Sequence, residues 1–265
     1  MLLRLRVLFG VLAVSLAFIV GAAATAGATT PNTALVYGDS LTFESRYAIA
    51  SEIALHPGWS VATHAFPGTA PCDWIPWLAT DLAAYQPSIF AIETAGNHAR
   101  PCMVDAFGAP LVPGSAEYYA KISTDLSIIF QTVTATGARV VFIKAPPMLD
   151  PEWNIRINKI SSNTVKLAKT MSAVSVSSKP RTAVSTLGKF AAYKPCLTNE
   201  TATMGCANGE IAIRTLTGIQ TGIHFCPIGL SSPYPYACDV YSSGEYRFGK
   251  AIAQVLVKPP APFVA

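Results

Sequence analysis

The sequence predicts an α/β fold with a central parallel sheet and helices on both of its faces. Two observations lead to this prediction. Four short apolar runs alternate with stretches in which apolar residues recur at helical spacing, which is the pattern of βαβ units. The first three runs each end in a turn containing Gly, and open parallel sheets place their ligands at such carboxyl ends. One domain is enough to hold these elements.

The predicted elements alternate along the chain after a short lead. Pro57-Gly58 ends the first helix and Gly137 ends the third, because both residue types interrupt helices. A final strand is expected between residues 179 and 222, where the pattern weakens into Ser, Thr and Gly and does not fix its position. The strands are predicted at 34–37, 59–66, 88–94 and 139–143, and the helices at 44–55, 74–85, 115–136, 158–173 and 242–256.

The first 28 residues have the pattern of a secretory signal peptide. Arg4 and Arg6 precede an apolar run over 7–20, and small residues follow up to Ala28, where we expect cleavage. An uncleaved membrane anchor is the disfavoured alternative, because the run is shorter than the roughly 20 apolar residues that span a bilayer. We therefore expect 29–265 to form one secreted or cell-envelope-associated domain without a stable membrane anchor.

The exported part carries little net charge. Removal of Arg4 and Arg6 leaves 17 Lys and Arg residues against 15 Asp and Glu residues, a formal charge of +2. Nucleic acid is therefore not an implied partner. Because 51% of the residues are hydrophobic, the chain can bury one large core, and we expect a monomer.

Six cysteines follow the signal, an even number that is typical of disulfides in exported proteins. Pairing neighbours in the sequence closes short loops, and each bond would contribute about 2–4 kcal/mol. Zinc is the alternative, but the chain has no Cys-x-x-Cys, and only His98 and His224 lie near cysteines. We expect no metal and no cofactor. The predicted disulfides are Cys72–Cys102, Cys196–Cys206 and Cys226–Cys238.

The first of the three turns, Gly38-Asp39-Ser40, is the candidate for a nucleophile. Gly38 allows a tight turn, and Asp39 can accept hydrogen bonds from nearby backbone N–H groups. Ser40 would project its hydroxyl above the sheet edge and offer its own N–H to an oxyanion. Taken alone, the motif fits equally an ordinary turn in which Asp39 or Ser40 caps the next helix.

Three further motifs occur in a fixed order after this turn: Pro67 to Cys72, Gly96-Asn97 with Pro101-Cys102, and His224-Phe225-Cys226-Pro227. Together with Gly38-Asp39-Ser40-Leu41-Thr42, they resemble the SGNH (GDSL) hydrolases, which are serine esterases and lipases. The resemblance covers most of the mature chain except about 151–222. It implies a flavodoxin-like three-layer α/β/α fold, with Ser40 as nucleophile and His224 as base. It also implies an oxyanion hole formed by Ser40, Gly68 and Asn97.

One position departs from the family pattern. The family usually has Asp three residues before the base His, and this chain has Thr221 there. Loss of the triad carboxylate typically costs on the order of 10⁴ in rate. The surrogates open from the sequence are the Thr221 hydroxyl, a backbone carbonyl, or Asp239, which a Cys226–Cys238 bond would bring towards His224. His98, beside Asn97, is expected to be a substrate-side or solvated residue rather than the base.

The resemblance implies a secreted serine hydrolase that cleaves or transfers an acyl ester. Its substrate would be a lipid, an acylated glycan or a small ester. The first alternative is a catalytically silent protein of the same fold that binds a lipid or an acylated envelope glycan. A disulfide-rich structural protein of the envelope is the second.

Overall fold

The structure is a computed structural model, and it describes residues 32–215, 221–226 and 241–263. Pro31–Ala265 form one compact unit. The predicted signal peptide, Cys238 and Asp239 lie outside the described residues, so the expectations for them remain predictions. In the described parts of the chain, no helix is long and apolar enough to cross a membrane.

Five parallel strands form the central sheet in the order β2-β1-β3-β4-β5, which confirms the predicted fold class. The strand order reverses beside β1, and doubly wound sheets bind ligands at this switch point. The strands are β1 (Asn32–Gly38), β2 (Trp59–Ala65), β3 (Ile89–Glu93), β4 (Arg139–Ile143) and β5 (Val174–Ser177), with β6 (Tyr193–Pro195) and β7 (Glu210–Ala212) forming a separate antiparallel hairpin.

Helices cover both faces of the sheet. One face carries α2, α3 and α4, which pack side by side, and the other carries α1, α5 and α6. Side chains of β1 alternate between the two cores: Leu35 and Tyr37 point into one, and Ala34 and Val36 into the other. The helices are α1 (Ser40–Ala54), α2 (Pro71–Tyr85), α3 (Ala116–Thr134), α4 (Pro151–Ala168), α5 (Lys179–Ala183) and α6 (Ser243–Val257), with a short 3₁₀ helix at Ala202–Met204.

Several elements differ from the sequence prediction, among them α1, which begins at Ser40 rather than at residue 44. Helix α4 begins at Pro151 rather than at 158, because the Asp150 side chain caps the N–H groups of Glu152 and Trp153. The final strand of the sheet is β5, which precedes 179–222 instead of lying within it. Its four residues alternate Val and Ser, too short a pattern to detect from the sequence.

Two of the three predicted disulfides are confirmed. Cys72 and Cys102 are bonded with a Cα–Cα distance of 5.9 Å, and Cys196 and Cys206 with 6.0 Å. The first joins the start of α2 to the loop after β3. The second clips the loop that follows β6.

We expect the Cys72→Ala/Cys102→Ala double variant to lose more stability than Cys196→Ala/Cys206→Ala. The bonds span 30 and 10 residues. Loop-closure entropy then assigns them about 4 and about 3 kcal/mol. Urea unfolding of both double variants measures the difference. A larger loss in the 196–206 variant would show that native packing, and not loop entropy, sets the order.

Candidate active site

The Gly-Asp-Ser turn forms the junction between β1 and α1. Asp39 caps the helix, with Oδ1 accepting from Leu41 N at 3.2 Å. Ser40 is the first helical residue and is 8% exposed, and an N–H at this position has no partner within the helix. A side chain at Gly38 would overlap Thr42. The turn therefore needs glycine, and it presents the Ser40 N–H at a helix N-terminus.

Asp39 also holds the third motif in place. Its Oδ2 accepts from Ala95 N at 2.7 Å and from Asn97 Nδ2 at 3.3 Å. The same Asn97 amide donates to the carbonyl oxygen of Thr69 at 3.0 Å, in the loop after β2. A single carboxylate, completely buried, thus joins the turn of Ser40 to the loop of Asn97.

The loops of Gly68 and Asn97 are tied together at two further points. The Cys72–Cys102 disulfide joins them covalently. Arg100 forms a two-pronged ion pair with Asp73, at 2.8 Å from Nε to Oδ2 and 3.1 Å from Nη2 to Oδ1. Gly68 itself has φ +75°, which favours glycine. The two loops are held at a fixed separation by these contacts.

Glu93, the last residue of β3, is a second completely buried carboxyl group next to Asp39. Thr42 Oγ1 donates to its Oε2 at 3.0 Å, but within the described residues no N–H or hydroxyl donates to Oε1. A hydrogen bond to Asp39 satisfies Oε1 only if that oxygen carries a proton. Burial, and next the charge of Asp39, hold the pKa of Glu93 well above its usual range. We therefore assign Glu93 as a neutral acid that donates to Asp39.

His224 meets a carboxylate that the sequence motifs do not name. Its Nδ1 contacts Oε1 of Glu44, and the Oε2 of Glu44 accepts from Phe225 N at 2.8 Å. Glu44 is 1% exposed and His224 5%. Glu44 lies four residues after Ser40 on α1, and side chains at this spacing share a face, with Cβ atoms about 5–6 Å apart. The imidazole is therefore held on the side of α1 that carries Ser40. Burial raises the pKa of Asp39, and the charge of His224 acts in the opposite direction.

The backbone around His224 is fixed from several sides. The buried guanidinium of Arg214 donates to Ile223 O at 2.6 Å and to Pro147 O at 2.8 Å. Burial lowers the pKa of Arg214 to about 9, although Glu44 acts in the opposite direction. Thr215 N donates to His224 O at 2.7 Å, which completes the support on this side.

Other residues predicted for the site are placed as follows. Thr221 lies in the turn three residues before His224, while Glu44 occupies the Nδ1 side of the imidazole for which the sequence offers Thr221 or Asp239. Asp239 is outside the described residues. His98 is half-buried beside Asn97, where burial and the charge of Arg156 lower its pKa.

Glu44 is missing from the sequence prediction for a local reason. With the helix predicted to begin at residue 44, Ser40 and Glu44 have no helical relation. In the structure, Asp39 caps the helix and Ser40 starts it, so that the two side chains lie one turn apart. A Gly-Asp-Ser turn read as a helix cap would have given the Ser-x-x-x-Glu spacing.

The structure is a three-layer α/β/α protein in which α1 begins with Ser40 and carries Glu44, the partner of His224. Several solved structures are similar to it. They include TesA (16% identity, TM-score 0.49, covering 86% of this chain and 99% of that one). A lipase/acylhydrolase from Enterococcus faecalis is a second, with 14% identity and a TM-score of 0.49, covering 88% of this chain and 100% of that one. A GDSL-like lipase from Parabacteroides merdae is a third, with 13% identity and a TM-score of 0.40, covering 53% of this chain and 74% of that one. No family model and no curated protein matches the chain.

Glu93→Gln should remove a pH dependence of stability. Between the ordinary Glu pKa of about 4.3 and the raised pKa in the folded protein, the native state binds a proton that the unfolded chain has released. The free energy of unfolding of the wild type therefore falls as pH rises through this window. Glutamine cannot ionise and keeps a donor towards Asp39, so the variant should show a flatter dependence in thermal unfolding between pH 5 and pH 9. Glu210→Gln, on the exposed edge of β7, is the control. An unchanged slope in the Glu93 variant would place the proton elsewhere.

Proposed function

We propose that this protein is an exported serine hydrolase that cleaves or transfers an acyl ester, with Ser40 as nucleophile and His224 as base. The observation that carries the proposal is the contact between His224 Nδ1 and Glu44. A carboxylate on Nδ1 fixes the tautomer whose Nε2 accepts a proton, and it stabilises the imidazolium that forms. Glu44 would thus supply what the family pattern lacks at Thr221.

In the proposed reaction, Nε2 of His224 takes the hydroxyl proton as Ser40 Oγ attacks the acyl carbon. The C–O bond of the ester then breaks, and the departing alcohol takes the proton from the imidazolium. This leaves an acyl group on Ser40. Water or a second alcohol repeats the sequence with the same base and regenerates the free Ser40 hydroxyl. Water gives hydrolysis, and an acceptor alcohol gives acyl transfer.

The oxyanion would be met by the N–H groups of Ser40 and Gly68 and by the amide of Asn97. Each donor of this kind is worth roughly 3–4 kcal/mol in the transition state. The Asn97 amide is anchored by its bond to Thr69 O, and its second hydrogen makes the longer 3.3 Å contact with Asp39. That longer contact is the one that an oxyanion would replace.

Export is supported by the disulfides and by the N-terminal pattern. Disulfides persist mainly outside the cytosol, and two are present in the described residues. The proposed organisation is a cleaved signal over 1–28 and one domain over 29–265. Against the alternative of a silent binding protein stands the burial of both Glu44 and His224, because a buried ionisable pair is costly to maintain for shape alone.

Ser40→Ala should abolish hydrolysis of a p-nitrophenyl ester and covalent labelling by a fluorophosphonate, without unfolding the protein. The reason is that the hydroxyl attacks the acyl carbon and contributes little to packing. Ser51→Ala, about three turns along the same helix, is the matched control and should keep both properties. Labelling of the wild type at another residue would move the nucleophile, and no labelling at all would favour the silent binding protein.

Glu44→Gln should lower kcat for the same ester by about 10²–10⁴ with little change in KM, because glutamine leaves the imidazolium without a counter-charge. Thr221→Asp should give no gain, since the Nδ1 side is already occupied. Glu52→Gln removes a carboxylate from the same helix, at a position where it accepts from Tyr246 and Lys250 of α6, and should leave kcat unchanged. A gain from Thr221→Asp together with a normal rate for Glu44→Gln would make Glu44 a structural residue.

A further inference from the structure

The charges of this chain are distributed unevenly. From residue 153 to residue 199 there are eight Lys and Arg residues and no Asp or Glu. The rest of the exported chain has nine Lys and Arg residues against 15 Asp and Glu residues. The small net charge is therefore the sum of a basic segment and an acidic remainder. The eight are Arg156, Lys159, Lys166, Lys169, Lys179, Arg181, Lys189 and Lys194.

Several of these cations line one cleft between α4 and α5. The cleft has a volume of about 430 Å³, and no acidic side chain contributes to its lining. Lys144, at the end of β4, forms its floor together with Arg181 of α5. Lys166 and Lys169 extend from the last turn of α4.

Among the described residues, no carboxylate pairs with the cations of the cleft. Across the described ranges, no carboxylate oxygen lies within 4.0 Å of the charged groups of Lys144, Lys166, Lys169 or Arg181. Burial, and next the charge of Arg181, lower the pKa of Lys144, and burial lowers the pKa of Arg181. Like charges held in a partly desolvated cleft are unfavourable, and a bound anion relieves this cost.

The guanidinium of Arg181 is held in position by neutral acceptors. It donates to Asn158 Oδ1 at 2.8 Å and to Gly188 O at 3.4 Å. These bonds orient the group without neutralising it. A cation that is already ordered loses less conformational freedom when it binds a ligand.

We propose that this cleft binds the anionic groups, carboxylate or phosphodiester, of an acidic polysaccharide. The cations supply the charge, and Asn158 and the exposed Ser162 offer hydrogen bonds to sugar hydroxyls. The cleft lining contains no aromatic ring on which a nucleobase could stack. It also lacks the large apolar side chains that enter a lipid surface.

Helix α4 connects the cleft with the proposed active site. At its first turn, Trp153 Nε1 donates to Ala95 O at 2.7 Å, in the loop that carries Asn97. The guanidinium of Arg156 lies over the ring of Trp153 at 4.9 Å. From Trp153 to Lys166 the helix rises about 20 Å. A glycan lying along α4 would therefore extend from the cleft to the oxyanion loop, and if the proposed function holds, its acyl ester is the substrate.

Binding is tested on the mature full chain by isothermal titration at two salt concentrations. The probes are oligogalacturonate for carboxylates, poly(glycerol phosphate) for phosphodiesters, and a neutral cello-oligosaccharide. We expect at least one acidic probe to bind, more weakly at high salt, and the neutral one not to bind. Lys166→Gln/Lys169→Gln should weaken binding about ten-fold or more. Lys189→Gln/Lys258→Gln removes the same charge from exposed positions outside the cleft and should change binding less than two-fold.

Three results would overturn the cleft as the site: equal losses in the two double variants, equal binding of the neutral probe, or no binding of either acidic probe. Tighter binding of single-stranded DNA or of anionic vesicles would overturn the assigned class of partner.

The link to catalysis has a separate readout. With acetylated galacturonan, Lys166→Gln/Lys169→Gln should raise KM and leave turnover of p-nitrophenyl acetate unchanged. Cleft-dependent binding without hydrolysis of either ester would refute the proposed function and leave the binding site standing. Hydrolysis of p-nitrophenyl acetate without cleft-dependent binding would do the reverse.

Discussion

The site depends on how one buried carboxylate, Glu44, is satisfied. A carboxylate removed from water must be hydrogen-bonded, balanced by charge or neutralised. One oxygen of Glu44 contacts the imidazole of His224, and the other accepts from the N–H of Phe225. The charge of Glu44 also interacts with the guanidinium of Arg214. Because both oxygens take partners from one short segment, the position of α1 determines where that segment can lie. His224 is therefore placed by the helix that begins with Ser40.

In the proposed mechanism, the carboxylate that contacts the base lies on α1, whereas the SGNH pattern has it three residues before the base. There the acid and the base share one segment, and the nucleophile approaches from another. Here Ser40 and Glu44 belong to the same helix, so their separation is set by helix geometry, and only the imidazole comes from elsewhere. In the proposed mechanism, the charge of Glu44 is balanced by Arg214 and, during reaction, by the imidazolium. That balance requires Glu93 to stay neutral, as its burial and its place beside Asp39 indicate.

Much of the fold follows from patterns that are local in the sequence. Apolar runs bounded by Gly and Pro located the first four strands, and β4 was predicted to the residue. The motif residues Ser40, Gly68, Asn97 and His224 all follow the order of a known family, which made them visible. Position 44 was hidden because the start of α1 depends on a cap, and caps are set by single side chains. Strand β5 was not predicted because its pairing with β4, and not its own composition, defines it as a strand.

The loops of Gly68 and Asn97, which carry the proposed oxyanion donors, show why a site built from separate turns can be rigid. The loops of Gly68 and Asn97 are linked by the Cys72–Cys102 bond and by an amide hydrogen bond to Thr69 O. The ion pair of Arg100 with Asp73 gives a third tie, and Asp39 joins the Asn97 loop to the nucleophile turn. Any one of these could break without freeing the loops. Donors held in this way need no closing motion before they meet a developing charge, which is the condition under which such donors are most effective.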